Sequence, residues 1–221
     1  MSARTLLSPS FFNRDPRRVA RSLLGKILVR ETRGKTLAGR IVETEAYLGA
    51  DDAAAHTAAG KTSRNAVLFG PPGYAYVYFI YGNYYCLNVS CLPDGVPGGV
   101  LFRALEPVAG IEEMAKARGV ALSGEDFGDS RARLLPGSIA ILKKIASGPG
   151  RMAEAFSITR ERDNGKNFTS PRSDLRIEDD GYRVRQVVVG PRIGITKSAD
   201  HPLRYLIADN PFVSASVAAK S

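Results

Sequence analysis

Residues that could perform chemistry concentrate in one short stretch, IVETEAYLGADDAAAH, at residues 41–56. Successive side chains of a β-strand point to opposite sides, so Glu43, Glu45 and Tyr47 would share one face. A carboxylate beside an aromatic ring suits an enzyme that stacks a flat substrate and activates a water next to it. His56 follows soon afterwards. The structural alternatives are a solvated strand glutamate and a histidine that satisfies local hydrogen bonds.

A tyrosine-rich stretch, GYAYVYFIYGNYYCLNVS at residues 73–90, holds six of the nine tyrosines of the chain. Its first three tyrosines alternate and therefore share one strand face: Tyr74, Tyr76 and Tyr78. The first two fit ordinary sheet packing. The Gly82-Asn83 pair suits a two-residue hairpin turn and puts Tyr81 beside the tip of a projecting ribbon. An exposed aromatic residue there could act as a wedge between base pairs.

Two further segments contain arginines that could bind phosphate. Arg103 lies inside an apolar strand-like segment, GVLFRALEP, where an arginine forms a salt bridge, extends towards solvent or binds a phosphate. Arg151 follows a glycine-rich turn, SGPG, at the start of a predicted helix, and the free N–H groups of helix starts attract anions. Neither segment identifies a ligand alone.

The charge of the chain is strongly basic but unevenly distributed. The 221 residues have a net charge of +9, and residues 1–40 contain ten basic side chains against two acidic ones. Residues 41–60 contain four carboxylates and no Lys or Arg. A basic excess suits a polyanionic partner such as nucleic acid, whereas the acidic stretch inside it points to a specific task for its carboxylates.

Composition also limits the class of protein. Two cysteines and two histidines make a disulfide framework or a metal site improbable, so we expect neither metal nor cofactor. Apolar runs are too short to span a bilayer and the N-terminus lacks the apolar core of a signal peptide. We therefore expect a cytoplasmic protein without a membrane partner, associated with the nucleoid through DNA.

The pattern of elements predicts an α+β fold. A short helix is predicted after Asp15, which can cap its N-terminus. Pro16 suits its first turn and Gly25 can end it. ILVRE and LAGRIVETEAY read as a hairpin around TRGK, and SIAILKKIASGPGRMAEAFSI reads as two helices broken at GPG. Residues 120–137 and 159–180 read as loops. We predict a single domain, residues 1–221, with a curved, largely antiparallel sheet, peripheral helices and a protruding β-hairpin.

Taken together and in order, these motifs closely resemble the alkyladenine (3-methyladenine or N-methylpurine) DNA glycosylases. The resemblance runs from about residue 7 to residue 213 and is strongest over residues 7–110. It implies a monofunctional base-excision-repair enzyme, a monomer that acts on double-stranded DNA. Such an enzyme flips damaged purines such as 3-methyladenine, 7-methylguanine, hypoxanthine or ethenoadenine out of the duplex and hydrolyses the N-glycosidic bond, without a lyase step.

The resemblance also implies roles for individual residues. Glu45 corresponds to the general base that deprotonates the attacking water, and Arg103 to an arginine that contacts the DNA backbone and helps position that water. Tyr47, His56 and Tyr78 correspond to the walls of the base pocket. Asn88 corresponds to the residue that excludes normal guanine from this pocket. Four others correspond to DNA contacts: Tyr81 as the intercalating wedge, with Asn83, Arg64 and Arg151. Asn83 departs from the pattern, since a relative carries an apolar residue there.

Three other functions remain open at the level of sequence. A non-catalytic protein could stack single-stranded bases on the tyrosine ribbon, but this leaves Glu45 without a role. A carbohydrate-processing enzyme would use Glu45 and Tyr47, but it does not explain the basic N-terminal segment. An RNA-modifying enzyme could use a similar scaffold, and competition between duplex DNA and RNA would distinguish it.

Overall fold

An antiparallel β-sheet forms the framework of the protein, in a computed structural model that describes residues 4–80, 82–122 and 136–215. Nine strands occur in these ranges: β1 Thr5–Leu6, β2 Ile27–Thr32, β3 Lys35–Tyr47, β4 Ala75–Ile80, β5 Tyr84–Ser90, β6 Gly99–Ala109, β7 Leu175–Asp179, β8 Val187–Gly190 and β9 Arg204–Ile207. The main path runs β1-β7-β2-β3-β6-β5-β4, and β9 pairs with both β3 and β8. The sheet is therefore open, with an edge at each end.

Helices surround this sheet and, together with it, make one compact α+β domain, as predicted. The six described helices are α1 Pro9–Phe12, α2 Pro16–Leu23, α3 Ile111–Ala117, α4 Pro136–Ala146, α5 Pro149–Ala155 and α6 Arg160–Asp163. Short 3₁₀ turns span Gly49–Asp51 and Ala66–Phe69. The prediction of two helices broken at the GPG segment is confirmed by α4 and α5. Among the described residues, no helix is long and apolar enough to cross a membrane.

The long strand β3 connects the two halves of the sheet. Its first part pairs with β2, its last part pairs with β9, and β6 follows it along the other side. The β3–β6 register shifts near Ala38 and between Ile41 and Thr44. Such bulges bend a strand and increase its twist, so they curve the sheet around the end of β3.

Helix α2 covers the opposite face of β3 from Glu43 and Glu45. Asp15 caps it by accepting a hydrogen bond from the Arg17 N–H, and Pro16 occupies its first turn, as predicted. On β3, the hydroxyl of Thr44 donates to the carbonyl of Ala20 in this helix at 3.0 Å. Because side chains alternate along a strand, the two glutamates face the other side.

The two hairpins differ in their turns. Arg33 and Gly34, between β2 and β3, both have positive φ (47° and 74°), as a two-residue type I′ turn requires. Between β4 and β5 the last pair is Ile80 with Tyr84. Three residues therefore separate the strands, instead of the two that were predicted. Tyr81 lies outside the described residues.

The prediction of a loop at residues 159–180 is wrong in part, because α6 and β7 lie there. Thr159 caps α6 by accepting from the Arg162 N–H, which gives a four-residue helix in a polar segment. The completely buried Arg30 contacts Asp163 at 2.8 Å, and Leu175 and Ile177 of β7 are buried in the apolar core, so charges and apolar residues together hold this segment. The predicted loop at 120–137 falls mostly on residues outside the described ranges.

Gly49, two residues after the end of β3, is the tightest backbone position near the end of this strand. It has φ of +89°, and a Cβ there would lie 2.2 Å from the carbonyl oxygen of Pro97. Gly34 has a similar φ of +74°, but a Cβ there would meet nothing within 4 Å. We therefore expect Gly49→Ala to lower the free energy of unfolding by roughly 2–4 kcal/mol and Gly34→Ala by about 1 kcal/mol. Urea denaturation measures both, and equal losses would contradict this packing.

Candidate active site

A cavity of about 450 Å³ opens beside the end of β3, a volume within the range of small-molecule sites. Strands β3, β4, β5 and β6 contribute to it, together with the segments 54–57 and 193–195. Five of the residues that the sequence singled out line this cavity: Tyr47, His56, Tyr78, Asn88 and Arg103. The structure thus brings together side chains that are up to 56 positions apart in the chain.

Aromatic rings form one wall of the cavity. The His56 ring packs edge-on against Tyr78, with centroids 4.4 Å apart, and Tyr76 lies 5.6 Å from Tyr78. His56 Nδ1 forms a hydrogen bond of 3.0 Å with the hydroxyl of Tyr76. Burial, with the positive charge of Arg64, lowers the pKa of His56, so the imidazole is neutral at pH 7.

Tyr76 has a larger role than the sheet packing predicted for it. It is 1% exposed, yet it lines the cavity and holds His56. The sequence contained a signal for this role, because Tyr76 and Tyr78 are two residues apart and therefore face the same side of β4. Burial also raises the pKa of the phenols of Tyr47 and Tyr78 far above the ordinary range, so both remain protonated.

Glu45 lies behind the cavity wall and is completely buried. Its Oε1 accepts a hydrogen bond from the main-chain N–H of Ile193 at 2.8 Å and lies 3.2 Å from Arg103 Nη1. The hydroxyl of Tyr47 donates to Oε2 at 3.1 Å. The donors come from three separate parts of the chain. All three donor residues, Tyr47, Arg103 and Ile193, also line the cavity.

The environment of Glu45 favours a carboxyl group that titrates above its usual range. Burial is the main cause and raises the pKa of Glu45, while Arg103, the Ile193 N–H and the Tyr47 hydroxyl act in the opposite direction. Such a group is a better proton acceptor than an ordinary glutamate. Its position at the edge of a cavity fits general-base chemistry.

Cys86 and Asn88, on β5, line the floor of the cavity. Burial raises the pKa of the Cys86 thiol, which therefore stays protonated and is a poor nucleophile. Asn88 is 6% exposed, and its Nδ2 donates to the main-chain oxygen of Tyr76 at 3.2 Å. This bond fixes the amide plane of Asn88 at the cavity surface.

A buried ion pair that the sequence did not reveal holds three walls of the cavity together. Arg192 Nη2 donates to Asp52 Oδ1 at 2.8 Å, Nη1 donates to Oδ2 at 2.5 Å, and Nη1 also donates to the main-chain oxygen of Ala46 at 3.0 Å. The guanidinium lies over the Tyr47 ring, 4.6 Å from its centroid. The same pair places the Ile193 N–H against Glu45.

The candidate DNA contacts do not form one cluster with the cavity residues. Arg64, Asn83 and Arg151 are exposed. Arg64 lies 5.9 Å from the centroid of the Tyr78 ring, and Asn83 lies in the hairpin turn. Arg151 lines a second cavity of about 380 Å³ that shares Arg103 with the first. Arg64 and Arg151 therefore lie near the mouth of the site, where a polyanion could reach them.

Comparison with known proteins agrees with these features. The family model described as "Methylpurine-DNA glycosylase (MPG)" matches residues 10–211. A relative from Koribacter versatilis is 65% identical over 208 residues, covering 94% of this chain and 92% of the relative. Relatives from Alkaliphilus oremlandii and Methanocella arvoryzae are each 42% identical over 212 residues, covering 94% and 95% of this chain and 98% and 96% of theirs. All three carry the name "Putative 3-methyladenine DNA glycosylase".

Removal of the Asp52 charge should destabilise the protein strongly, because Arg192 would be left buried without its carboxylate. We expect Asp52→Asn to lower the free energy of unfolding by roughly 3–5 kcal/mol. The neighbouring Asp51 is exposed, so Asp51→Asn should change it by no more than about 0.5 kcal/mol. Urea denaturation of both variants measures the difference, and similar values would show that the buried pair is not needed.

Proposed function

Since the chain belongs to the methylpurine-DNA glycosylase family, we propose that it flips a damaged purine nucleotide out of duplex DNA and hydrolyses the N-glycosidic bond with a water activated by Glu45. The observation that carries this proposal is the buried Glu45 carboxylate held against an aromatic cavity by Tyr47 and Arg103. Substrates are alkylated or deaminated purines: 3-methyladenine, 7-methylguanine, hypoxanthine and ethenoadenine.

The aromatic wall supports selection of damaged bases. A flipped base can stack against the rings of Tyr47, His56 and Tyr78, all of which line the cavity. Alkylated purines such as 3-methyladenine and 7-methylguanine carry positive charge in DNA, and a cation is attracted to the face of a tyrosine ring. Asn88 is the proposed check against normal guanine, whose exocyclic amine would meet the amide held by Tyr76.

Water activation follows from the contacts of Glu45. Its Oε1 is occupied by Ile193 and Arg103, whereas Oε2 has one hydrogen bond, from Tyr47, and retains a lone pair that can accept the proton of a water. Because Glu45 is completely buried, this water must approach from the cavity past Tyr47 and Arg103. The carboxylate also stabilises the oxocarbenium-like state of the sugar as the bond breaks.

The leaving group sets the remaining requirement. Cationic bases such as 7-methylguanine depart readily once the sugar is attacked, whereas neutral hypoxanthine needs a proton as well. No lysine occurs among the described residues that line the cavity, and the Cys86 thiol is protonated. Both features favour hydrolysis by water and no lyase step, since a lyase needs an amine nucleophile.

Contacts with the DNA backbone are proposed for the exposed arginines. Arg64 lies close to a cavity residue, Arg151 lines the second cavity, and Arg103 lines both cavities. The net charge of +9 attracts phosphates. Tyr81 remains the proposed wedge, with Asn83 beside it in the exposed turn. All cavity residues come from one chain, so the site needs no second copy, and we expect a monomer to be active.

Loss of the general base tests the proposal directly. Glu45→Gln should release at least about 100-fold less base from duplexes that carry 3-methyladenine, hypoxanthine or ethenoadenine, because the amide cannot accept the proton of water. Abasic sites are revealed by alkali. A matched control is Glu106→Gln, since Glu106 lies on β6 but does not line the cavity.

The same assay has two internal checks. Without alkali the strand should remain intact, and borohydride should trap no covalent adduct. Glu45→Gln should still bind the lesion duplex. Full activity of Glu45→Gln would refute its catalytic role, and a trapped adduct would replace hydrolysis with a lyase mechanism.

The pH dependence of the rate should report the raised pKa of Glu45. The base must be deprotonated, so activity is present above its pKa and is lost as the pH falls through it. We expect the acidic limb on 7-methylguanine DNA, whose base needs no protonation, to have a midpoint above the ordinary glutamate value of about 4.3. Single-turnover rates measure the limb. A midpoint at the ordinary value would contradict the burial effect.

A further inference from the structure

A second carboxylate, Glu43, lies two residues before Glu45 on the same strand face and is also completely buried. It does not line the cavity. Its Oε1 accepts hydrogen bonds from Arg103 Nε at 3.2 Å and from the hydroxyl of Ser214 at 3.0 Å. Its Oε2 accepts from the main-chain N–H of Ser214 at 2.6 Å. Because burial of this charge is costly, we expect Glu43 to have a function beyond charge balance.

Arg103 connects the two glutamates. Its Nε donates to Glu43, its Nη1 lies 3.2 Å from Glu45 Oε1, and its Nη2 donates to Ser214 Oγ at 3.4 Å. A guanidinium group is planar and rigid, so fixing Nε and Nη2 also fixes the direction of Nη1. Glu43 and Ser214 therefore determine where the positive charge next to Glu45 points.

A second arginine and the last described residues complete this arrangement. Arg204 Nε lies 2.8 Å from Glu43 Oε1, although its N–H is not directed at that oxygen. The negative charges of Glu43 and Glu45 are thus balanced by the positive charges of Arg103 and Arg204. Ser214 is anchored through the buried Phe212, whose main-chain oxygen accepts from Ser147 Oγ at 2.6 Å.

We infer that Glu43 is a positioning residue: by holding Arg103, it orients the guanidinium group that keeps Glu45 and the attacking water in place. This inference rests on the proposed function of Glu45. Glu43 touches neither the cavity nor a substrate. Its effect on the reaction passes through Arg103, which, among the residues that the structure describes, is the one side chain that contacts both glutamates and lines the cavity.

The charges around Glu45 distinguish positioning from simple support of the fold. Charged and titratable groups from four strands and from the segment after β8 surround Glu45. They are Arg103 from β6, Tyr47 and Glu43 from β3, Cys86 from β5, Arg204 from β9, and Arg192, which lies behind Tyr47. Glu43, as a like charge, raises the pKa of Glu45. Glu43→Gln would remove this like charge, but it would also release Arg103, which has the larger effect and lowers the pKa of Glu45. The acidic limb should therefore move to higher pH, whereas a general loosening of the fold would expose Glu45 to water and move the limb to lower pH.

The test compares Glu43→Gln with wild type in single-turnover assays on a 7-methylguanine duplex across the pH range. We expect the maximal rate to fall roughly 10- to 100-fold, the size of a misplaced catalytic group. The midpoint of the acidic limb should move to higher pH, because a displaced Arg103 no longer lowers the pKa of Glu45, and the half-saturating protein concentration should change less than about twofold. Glu106→Gln is the control, because Glu106 binds Asn210 of the same terminal segment at 3.3 Å without touching Arg103.

Two results would overturn the inference: an unchanged rate, or a lower rate with a midpoint that is unchanged or moves to lower pH, which would mean a structural role. If Glu43→Gln does not fold, Ser214→Ala serves instead, because it removes the hydroxyl from Glu43 and Arg103 but keeps the main-chain donor. We expect it to lose about tenfold in rate, and wild-type rates would refute the inference. Base release absent from the wild-type protein would instead refute the proposed function itself.

Discussion

A carboxylate removed completely from water must be compensated by donors, and the donors of Glu45 come from three parts of the chain, two of them distant from it in sequence. Tyr47 follows on the same strand, Arg103 comes from β6, and the Ile193 N–H comes from the segment after β8. These contacts require β3 to lie beside β6 and the 191–195 segment to fold back over both. The architecture of the sheet is thus tied to one buried charge.

Two ion-pair systems flank the Glu45 carboxylate, one on each side. Asp52 and Arg192 secure the segment that supplies the main-chain donor, and they place a cation over the Tyr47 ring. Glu43 and Arg204 lie on the other side of Arg103. Each system is buried and paired, so neither adds much net stability, but each becomes expensive when one partner is lost. Such pairs favour one arrangement of the site over others.

Short sequence patterns were sufficient to predict the elements that neighbouring residues specify. Alternation in VETEAY placed Glu45 and Tyr47 on one face, and the cap and proline of α2 predicted that helix. The Asp52–Arg192 pair was not predictable in this way, because its members are 140 positions apart and Arg192 lies in no motif that marks it as the partner of Asp52. The helix α6 was missed because it is only four residues long and polar, and the strand β7 because its two alternating apolar residues, Leu175 and Ile177, lie in a polar segment.

The hydrogen bond from Ile193 to Glu45 comes from the peptide group rather than from a side chain. Every amino acid except proline supplies the same donor. The residue at this position is therefore free to drift among apolar types over evolution while the contact persists. Only proline, or an insertion or deletion that shifts the segment, would remove it, so a comparison of residue identities alone would overlook one of the donors on which this site depends.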